Sequence, residues 1–194
     1  QHVGYNTGGI VGRLHQGYWL AVNPGWYYGC GEFGAEGLDF GGLMKRRYPE
    51  EWIREPFHPG NILRAQTGNF YHIFFDEGED LEDWVEKSQT YQAFATKIMT
   101  TAFRRNNLMN TFALHLFIDA WPAGWMKTIM DCERNPKKAF FTYRDKLSPV
   151  MADLRSDRFT FFEGERVRLE SYVCNDLSGC LMTVKYQAEL RAGE

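Results

Sequence analysis

The chain has 194 residues, of which 44% are hydrophobic and 16% aromatic, enough apolar side chain for a packed core and too much for a disordered segment. The formal net charge is -3, and the basic residues are scattered apart from Lys45-Arg46-Arg47, which reads as a solvated turn, so nucleic acid and anionic membranes are disfavoured as partners. No apolar run approaches the roughly 18 residues that a membrane-spanning helix requires, and the N-terminal residues do not read as a signal peptide.

Residues 1–30 are rich in glycine and aromatics, and Trp26-Tyr27-Tyr28 is their compact strand candidate. That run drives into Gly29-Cys30-Gly31-Glu32-Phe33-Gly34-Ala35-Glu36-Gly37, where the first charge met is a carboxylate. The pattern predicts a buried strand ending at a tight turn, with Glu32 at its C-terminal tip. In α/β folds such strand ends are where chemistry is done. Glu36 reads as a loop-bracing carboxylate. Residues 39–70, punctuated by Pro49, Pro56 and Pro59, predict a long irregular excursion, the kind of loop that forms a lid or the rim of a site.

The clearest helix follows. Asp80 is its expected N-cap, Trp84, Tyr91, Ala95, Ile98 and Ala102 recur on one face, and Arg105-Asn106-Asn107 ends it. Phe112 to Ile118 is apolar on alternate and intervening positions, as a parallel strand buried on both faces must be, and Asp119 ends it as Glu32 ends the earlier strand. A second helix is expected with Pro136 in its first turn, running through Phe140, Phe141, Tyr143 and Leu147 to Ser148-Pro149.

After about residue 155 the period changes to two. Val167, Leu169, Ser171 and Val173 alternate with polar neighbours, as do Met182, Val184, Tyr186, Ala188 and Leu190, which predicts half-buried antiparallel strands of a β-sandwich. The four cysteines, Cys30, Cys132, Cys174 and Cys180, include no close CxxC pair and read as free thiols, and the five histidines lack ligand spacing, so no metal is predicted. Strand, helix, strand, helix and then an all-β unit is an α/β order with too few strands to close a barrel or cover a sandwich. The chain reads as an excised middle.

Several spaced segments resemble glycoside hydrolase family two, the clan of β-galactosidases and β-glucuronidases. Gly31-Glu32-Phe33-Gly34-Ala35-Glu36 is similar to the family's nucleophile segment, Leu114-His115-Leu116-Phe117-Ile118-Asp119 to its eighth barrel strand, and Arg134-Asn135-Pro136-Lys137-Lys138-Ala139 to the segment opening its last barrel helix. The resemblance covers roughly residues 20–190 in the family's order. It implies the C-terminal portion of a (β/α)8 TIM barrel over residues 1–154, followed by the first strands of an immunoglobulin-like β-sandwich over residues 155–194. It implies a retaining, β-galactosidase-like glycosidase in which one carboxylate attacks the anomeric carbon and a second, about 5–5.5 Å away, serves as acid and then base. Glu32 takes the nucleophile's role. The family's acid/base lies in an Asn-Glu pair upstream, and this sequence contains no Asn-Glu dipeptide, so a missing upstream part of the enzyme is an expected partner and the isolated chain is expected to be inactive and poorly folded.

The same resemblance places Tyr5, or His2 in another register, where a tyrosine hydrogen-bonds the nucleophile. It places His115 beneath the sugar, against the alternative of a core histidine bonded to a backbone carbonyl. Asp119 binds a sugar hydroxyl or caps the following loop, and Trp121 stacks on sugar or simply packs. The substrate is a β-glycoside, with no cofactor, no nucleic acid and no membrane. A homo-oligomer is compatible with this reading, as is a soluble protein of the cytoplasm, the periplasm or a secreted space. The rival readings are a non-catalytic carbohydrate-binding module using Trp26, Trp121 and Trp125 as platforms, and an assembly fragment that completes another chain.

Overall fold

The computed structural model describes residues 24–62, 75–121, 126–156 and 159–178, together with Thr183, Lys185 and Gln187. The expectations for His2, Tyr5, Trp125, Cys180 and most of the strand over 182–190 lie outside these residues. The described elements are mixed α/β. In chain order they are β1 (Tyr28–Phe33), α1 (Gly41–Arg47), α2 (Glu50–Ile53), a 3-10 turn (Pro59–Asn61), α3 (Leu81–Arg105), β2 (Met109–Leu114), α4 (Lys138–Lys146), β3 (Val150–Arg155) and β4 (Glu170–Asn175).

β1 and β2 pair in parallel, which requires a long crossover between them, and α3 supplies it. This helix begins and ends where the sequence places it. The Asp80 carboxylate accepts a hydrogen bond from the Asp83 N–H at 2.9 Å, Glu82 and Asp83 put negative charge in the first turn, and Arg104 and Arg105 put positive charge in the last. Lys87 closes on Asp83 at 2.7 Å, one helical turn away, which holds the Asp83 carboxyl below and the Lys87 ammonium above their ordinary values.

The inward face of α3 serves two apolar clusters. Trp84 and Val85 join Leu38, Leu43, Met44, Tyr48, Phe57, Ile62, Leu81 and Met126 beneath the excursion that follows β1. Ala95, Met99, Ala102 and Phe103 meet Cys30, Phe33 and Ala35 against the strand pair. There the Phe33 ring meets Phe103 edge-on at 4.9 Å, and Phe103 stacks on Phe112 at 5.2 Å.

Five expectations need correction. The strand begins at Tyr28, and Trp26 and Tyr27 are 64% and 66% exposed rather than buried. The excursion over 39–70 is not irregular throughout, because α1, α2 and the 3-10 turn lie within it. Each is too short to show helical periodicity. Lys45-Arg46-Arg47 is the last turn of α1, where cations complement the helix dipole, and Arg46 and Arg47 both pair with Glu133. β2 stops at Leu114, four residues before Ile118, and Asn110, Thr111 and Ala113 are exposed, so it is not buried on both faces. Helix α4 starts at Lys138, because Pro136 is bridged to Met130 and Lys137 is the N-cap.

β3 carries no sequence signal of its own, yet it pairs antiparallel with β4 in regular register from Val150↔Asn175 to Arg155↔Glu170. β4 is antiparallel as expected of the period-two region, but its partner is β3, which precedes that region, and its faces are reversed. Met151, Asp153, Glu170, Tyr172 and Cys174 occupy the more buried positions, whereas Leu154, Val167, Leu169 and Val173 are about half exposed. The polar set turns inward because the C-terminal end of α3 meets it with charge. Arg105 Nη1 lies 2.5 Å from Asp153 Oδ2, and the Arg105 and Arg155 guanidinium groups flank the Tyr172 ring at 5.4 and 5.6 Å.

Candidate active site

Because β1 and β2 run parallel, their C-terminal ends fall on one rim. Glu32 is the penultimate residue of β1 and is half-buried. The register passes from Cys30↔Phe112 to Phe33↔Leu114, so Gly31 and Glu32 together oppose Ala113. A bulge of this kind bends the strand and re-aims a side chain, and bulges concentrate next to active sites. Beyond it the His115 N–H donates to the Phe33 carbonyl at 2.9 Å, which sets His115, also half-buried, beside the end of β1. The His115–Leu116 peptide is cis.

The chain then runs alongside the segment before α4. The Leu116 N–H donates to Lys127 O, Ile129 N–H to Leu116 O and Asp119 N–H to Met130 O. Asp119 is 6% exposed, and its Oδ1 accepts from the Ala120 N–H at 2.8 Å, so this oxygen caps the turn that follows. Trp121 is half-buried against the first apolar cluster and stacks on Tyr48 at 4.6 Å with an interplanar angle of 21°. Glu32 and His115 thus share the rim, Asp119 and Trp121 share the turn beyond it, and Tyr5 lies outside the described residues.

The loop after Glu32 is buried from Phe33 to Asp39, and a buried loop must have its backbone groups satisfied. Side chains from α3 and from the start of α4 do this. Gln92 Nε2 donates to Ala35 O at 3.0 Å and also reaches Thr128 O, Gln89 Nε2 donates to Leu38 O at 3.0 Å, and Ser88 Oγ accepts from the Leu38 N–H. From the start of α4, Lys137 Nζ donates to Gly37 O at 2.8 Å and lies 2.8 Å from Asp39 Oδ1. The other Asp39 oxygen accepts from the Tyr48 hydroxyl at 2.9 Å. Gly37 is needed for close approach, since a Cβ there would fall 2.5 Å from Gln92 Oε1 and 2.9 Å from its Cδ.

Sequence reasoning passed over Gln89, Gln92, Asp39, Tyr48 and Lys137. A signal for the first two was present: Ser88, Gln89 and Gln92 interrupt the apolar stripe in the first half of the helix, and polar residues at core-facing positions call for buried partners.

Glu36 is 2% exposed within this loop. Burial, with a smaller contribution from the Glu36 charge, pushes the Tyr91 hydroxyl up from the usual 10 to about 12. The neutral phenol is favoured in the folded protein, so this contribution is fully present below pH 10 and is lost as pH rises toward about 12, where the unfolded chain ionises first. Unfolding free energy is therefore expected to fall between those values, and Tyr91→Phe to fall less steeply, in urea titrations at a series of alkaline pH values. An equal slope in the two proteins would exclude Tyr91 as the cause.

Cys132 lies near Asp39, Asp131, Glu133 and Asp119. Burial first, and then these carboxylates, push its thiol up and keep it protonated, which disqualifies it as a nucleophile. Among the described residues Cys30, Cys132 and Cys174 form no disulfide, and no group of three or more His, Cys, Asp or Glu side chains is arranged to hold a metal ion. No described helix is long and apolar enough to cross a membrane.

No family model and no curated protein sequence matches the chain. Among solved structures it is similar to the β-D-mannosidase of Dictyoglomus thermophilum, with a TM-score of 0.58 and 16% identity over 86% of this chain. The aligned part makes up 19% of the mannosidase chain, so the likeness is to about a fifth of that structure, and it is a likeness of fold, consistent with a glycoside-hydrolase-like arrangement.

Proposed function

We propose that this chain is the part of a retaining β-glycosidase, of β-galactosidase type, that carries the nucleophile Glu32. The observation that carries the reading is the bulged end of β1, which puts a half-buried carboxylate on the same rim as His115 with a fully buried, hydrogen-bonded loop behind it. A glycosidase nucleophile must be held rigidly against the anomeric carbon, and a strand end braced by such a loop supports that role. The fold likeness to part of a β-mannosidase agrees with a glycosidase and leaves the sugar open.

In the proposed reaction a Glu32 oxygen bonds to the anomeric carbon as the aglycone departs, protonated by an acid from the upstream part of the enzyme. Water activated by the same group then releases the sugar with its configuration retained. The reading puts His115 beneath the sugar, makes Trp121 a wall of the site and Asp119 the brace of the turn between them, and assigns Tyr5, which lies outside the described residues, the role of hydrogen-bonding the nucleophile. The same reading assigns residues 1–154 to the end of a (β/α)8 barrel and 155–194 to the start of an immunoglobulin-like sandwich, with the β3–β4 pair straddling the division. The half-exposed Leu154, Leu169 and Val173 are then the face that a second sheet covers.

The test is to treat the complete polypeptide carrying this chain with activated 2-deoxy-2-fluoro β-galactoside, β-glucuronide and β-mannoside, then map the adduct by peptide mass. A single label on Glu32 is expected from at least one sugar. A label on Glu36, or none from any sugar that the enzyme turns over, would overturn the assignment.

A further inference from the structure

We infer that Lys137, Asp39 and Tyr48 are positioning residues for the reaction assigned to Glu32, an inference that rests on the glycosidase reading. Lys137 is fully buried and Asp39 is 1% exposed. A buried ammonium–carboxylate pair is a poor way to gain stability, since apolar residues of similar volume often do as well, but it fixes geometry through directed contacts. Here the contacts join parts of the chain that the proposed chemistry needs held together.

Lys137, the N-cap of α4, reaches Gly37 O and Asp39 Oδ1 and so ties down the loop that leaves the nucleophile strand. Tyr48, the C-cap residue of α1, takes the other Asp39 oxygen through its hydroxyl and carries Trp121 on its ring face. One carboxylate thereby links the loop behind Glu32 to the turn bearing Asp119 and Trp121. The two arms act on different quantities. The Lys137 arm sets the aim of Glu32 and thus the rate of glycosyl transfer, whereas the Tyr48 hydroxyl sets the place of Trp121 and thus the binding of sugar.

The experiment is steady-state kinetics of the complete polypeptide on the aryl β-glycoside that it cleaves best, comparing the parent with Lys137→Met, Asp39→Asn, Tyr48→Phe and Glu32→Gln. Lys137→Met is expected to lower kcat about 10–100-fold with KM within about twofold, because a small misplacement of a reacting group costs this much. Should Lys137→Met fail to fold, Asp39→Asn, which keeps the volume and removes the charge, is expected to lower kcat in the same sense. Tyr48→Phe keeps the ring stack and is expected to raise KM about 3–10-fold with kcat within about twofold, the loss of one buried hydrogen bond felt through Trp121. Parent-like kcat and KM in Tyr48→Phe and in the foldable Lys137 or Asp39 variant, or losses that track the folded fraction alone, would overturn the inference. If Glu32→Gln is inactive in that case, the glycosidase reading stands and only the positioning role fails. An active Glu32→Gln removes the reading itself.

Discussion

Replacing Glu32 by Gln in the complete polypeptide is expected to lower kcat for aryl β-glycosides by about 10⁴-fold, the scale on which removal of a single catalytic group acts when its partners remain. The amide keeps the size and the bulged strand position of the carboxylate but cannot form the glycosyl ester, so chemistry is lost and ground-state binding is spared. Sugar binding by the variant, followed by calorimetry or tryptophan fluorescence, is expected to stay within about threefold of the parent, since a ΔΔG of about 0.7 kcal/mol covers that range. In Glu32→Gly, which removes the side chain and leaves room for a small anion, azide is expected to restore turnover by attacking the anomeric carbon from the vacated side, giving the inverted glycosyl azide. Activity within tenfold of the parent, without added nucleophile, would remove Glu32 from the mechanism.

How far this site was legible in the sequence differs from residue to residue. The strand end that carries Glu32 was legible from local signals alone, since β1 ends at Phe33, although the strand begins only at Tyr28 and runs through Gly29 and Gly31 rather than stopping at them. Helix α3 was legible for the same reason: its cap, its stripe and its stop are all local signals, and the helix spans Leu81–Arg105. The clamp behind Glu32 was not. Gln92 meets Ala35 across 57 positions and Lys137 meets Gly37 across 100, and no local period encodes a side-chain-to-backbone bond between residues so far apart. Lys137 stood inside the Arg-Asn-Pro-Lys segment that carried the family resemblance, yet spacing alone gave no reason to bury it.

β3 failed for a related cause. Its inward residues are Met151 and Asp153 while Ala152 and Leu154 face outward, so an apolar-in rule assigns it no buried face. Asp153 belongs inside because Arg105 arrives there from α3, and that pairing is a tertiary fact.

The same pairing makes Asp153 a position at which substitution is expected to cost much stability. The two side chains are 6% and 5% exposed, Arg105 Nη1 also reaches Thr101 Oγ1 at 3.3 Å, and the guanidinium stands 5.4 Å from the centre of the Tyr172 ring. Asp153→Ala leaves the guanidinium buried without its counter-charge, a change that costs about 3–5 kcal/mol, several times the roughly 0–1 kcal/mol of an exposed pair. Register adds to the loss, because Asp153 is the Cα partner of Tyr172 and the β3–β4 pair meets the end of α3 through these residues. Removing both charges together is a different experiment. Arg105→Met with Asp153→Leu replaces an ion pair by apolar volume and is expected to return to within about 1 kcal/mol of the parent, or above it, because the desolvation cost of the two charges is removed with them. Urea unfolding with matched m-values measures both, and the double-mutant cycle isolates the coupling. A cost below about 1 kcal/mol for Asp153→Ala alone would mean that water reaches the pair and that β3 is held to α3 by packing instead.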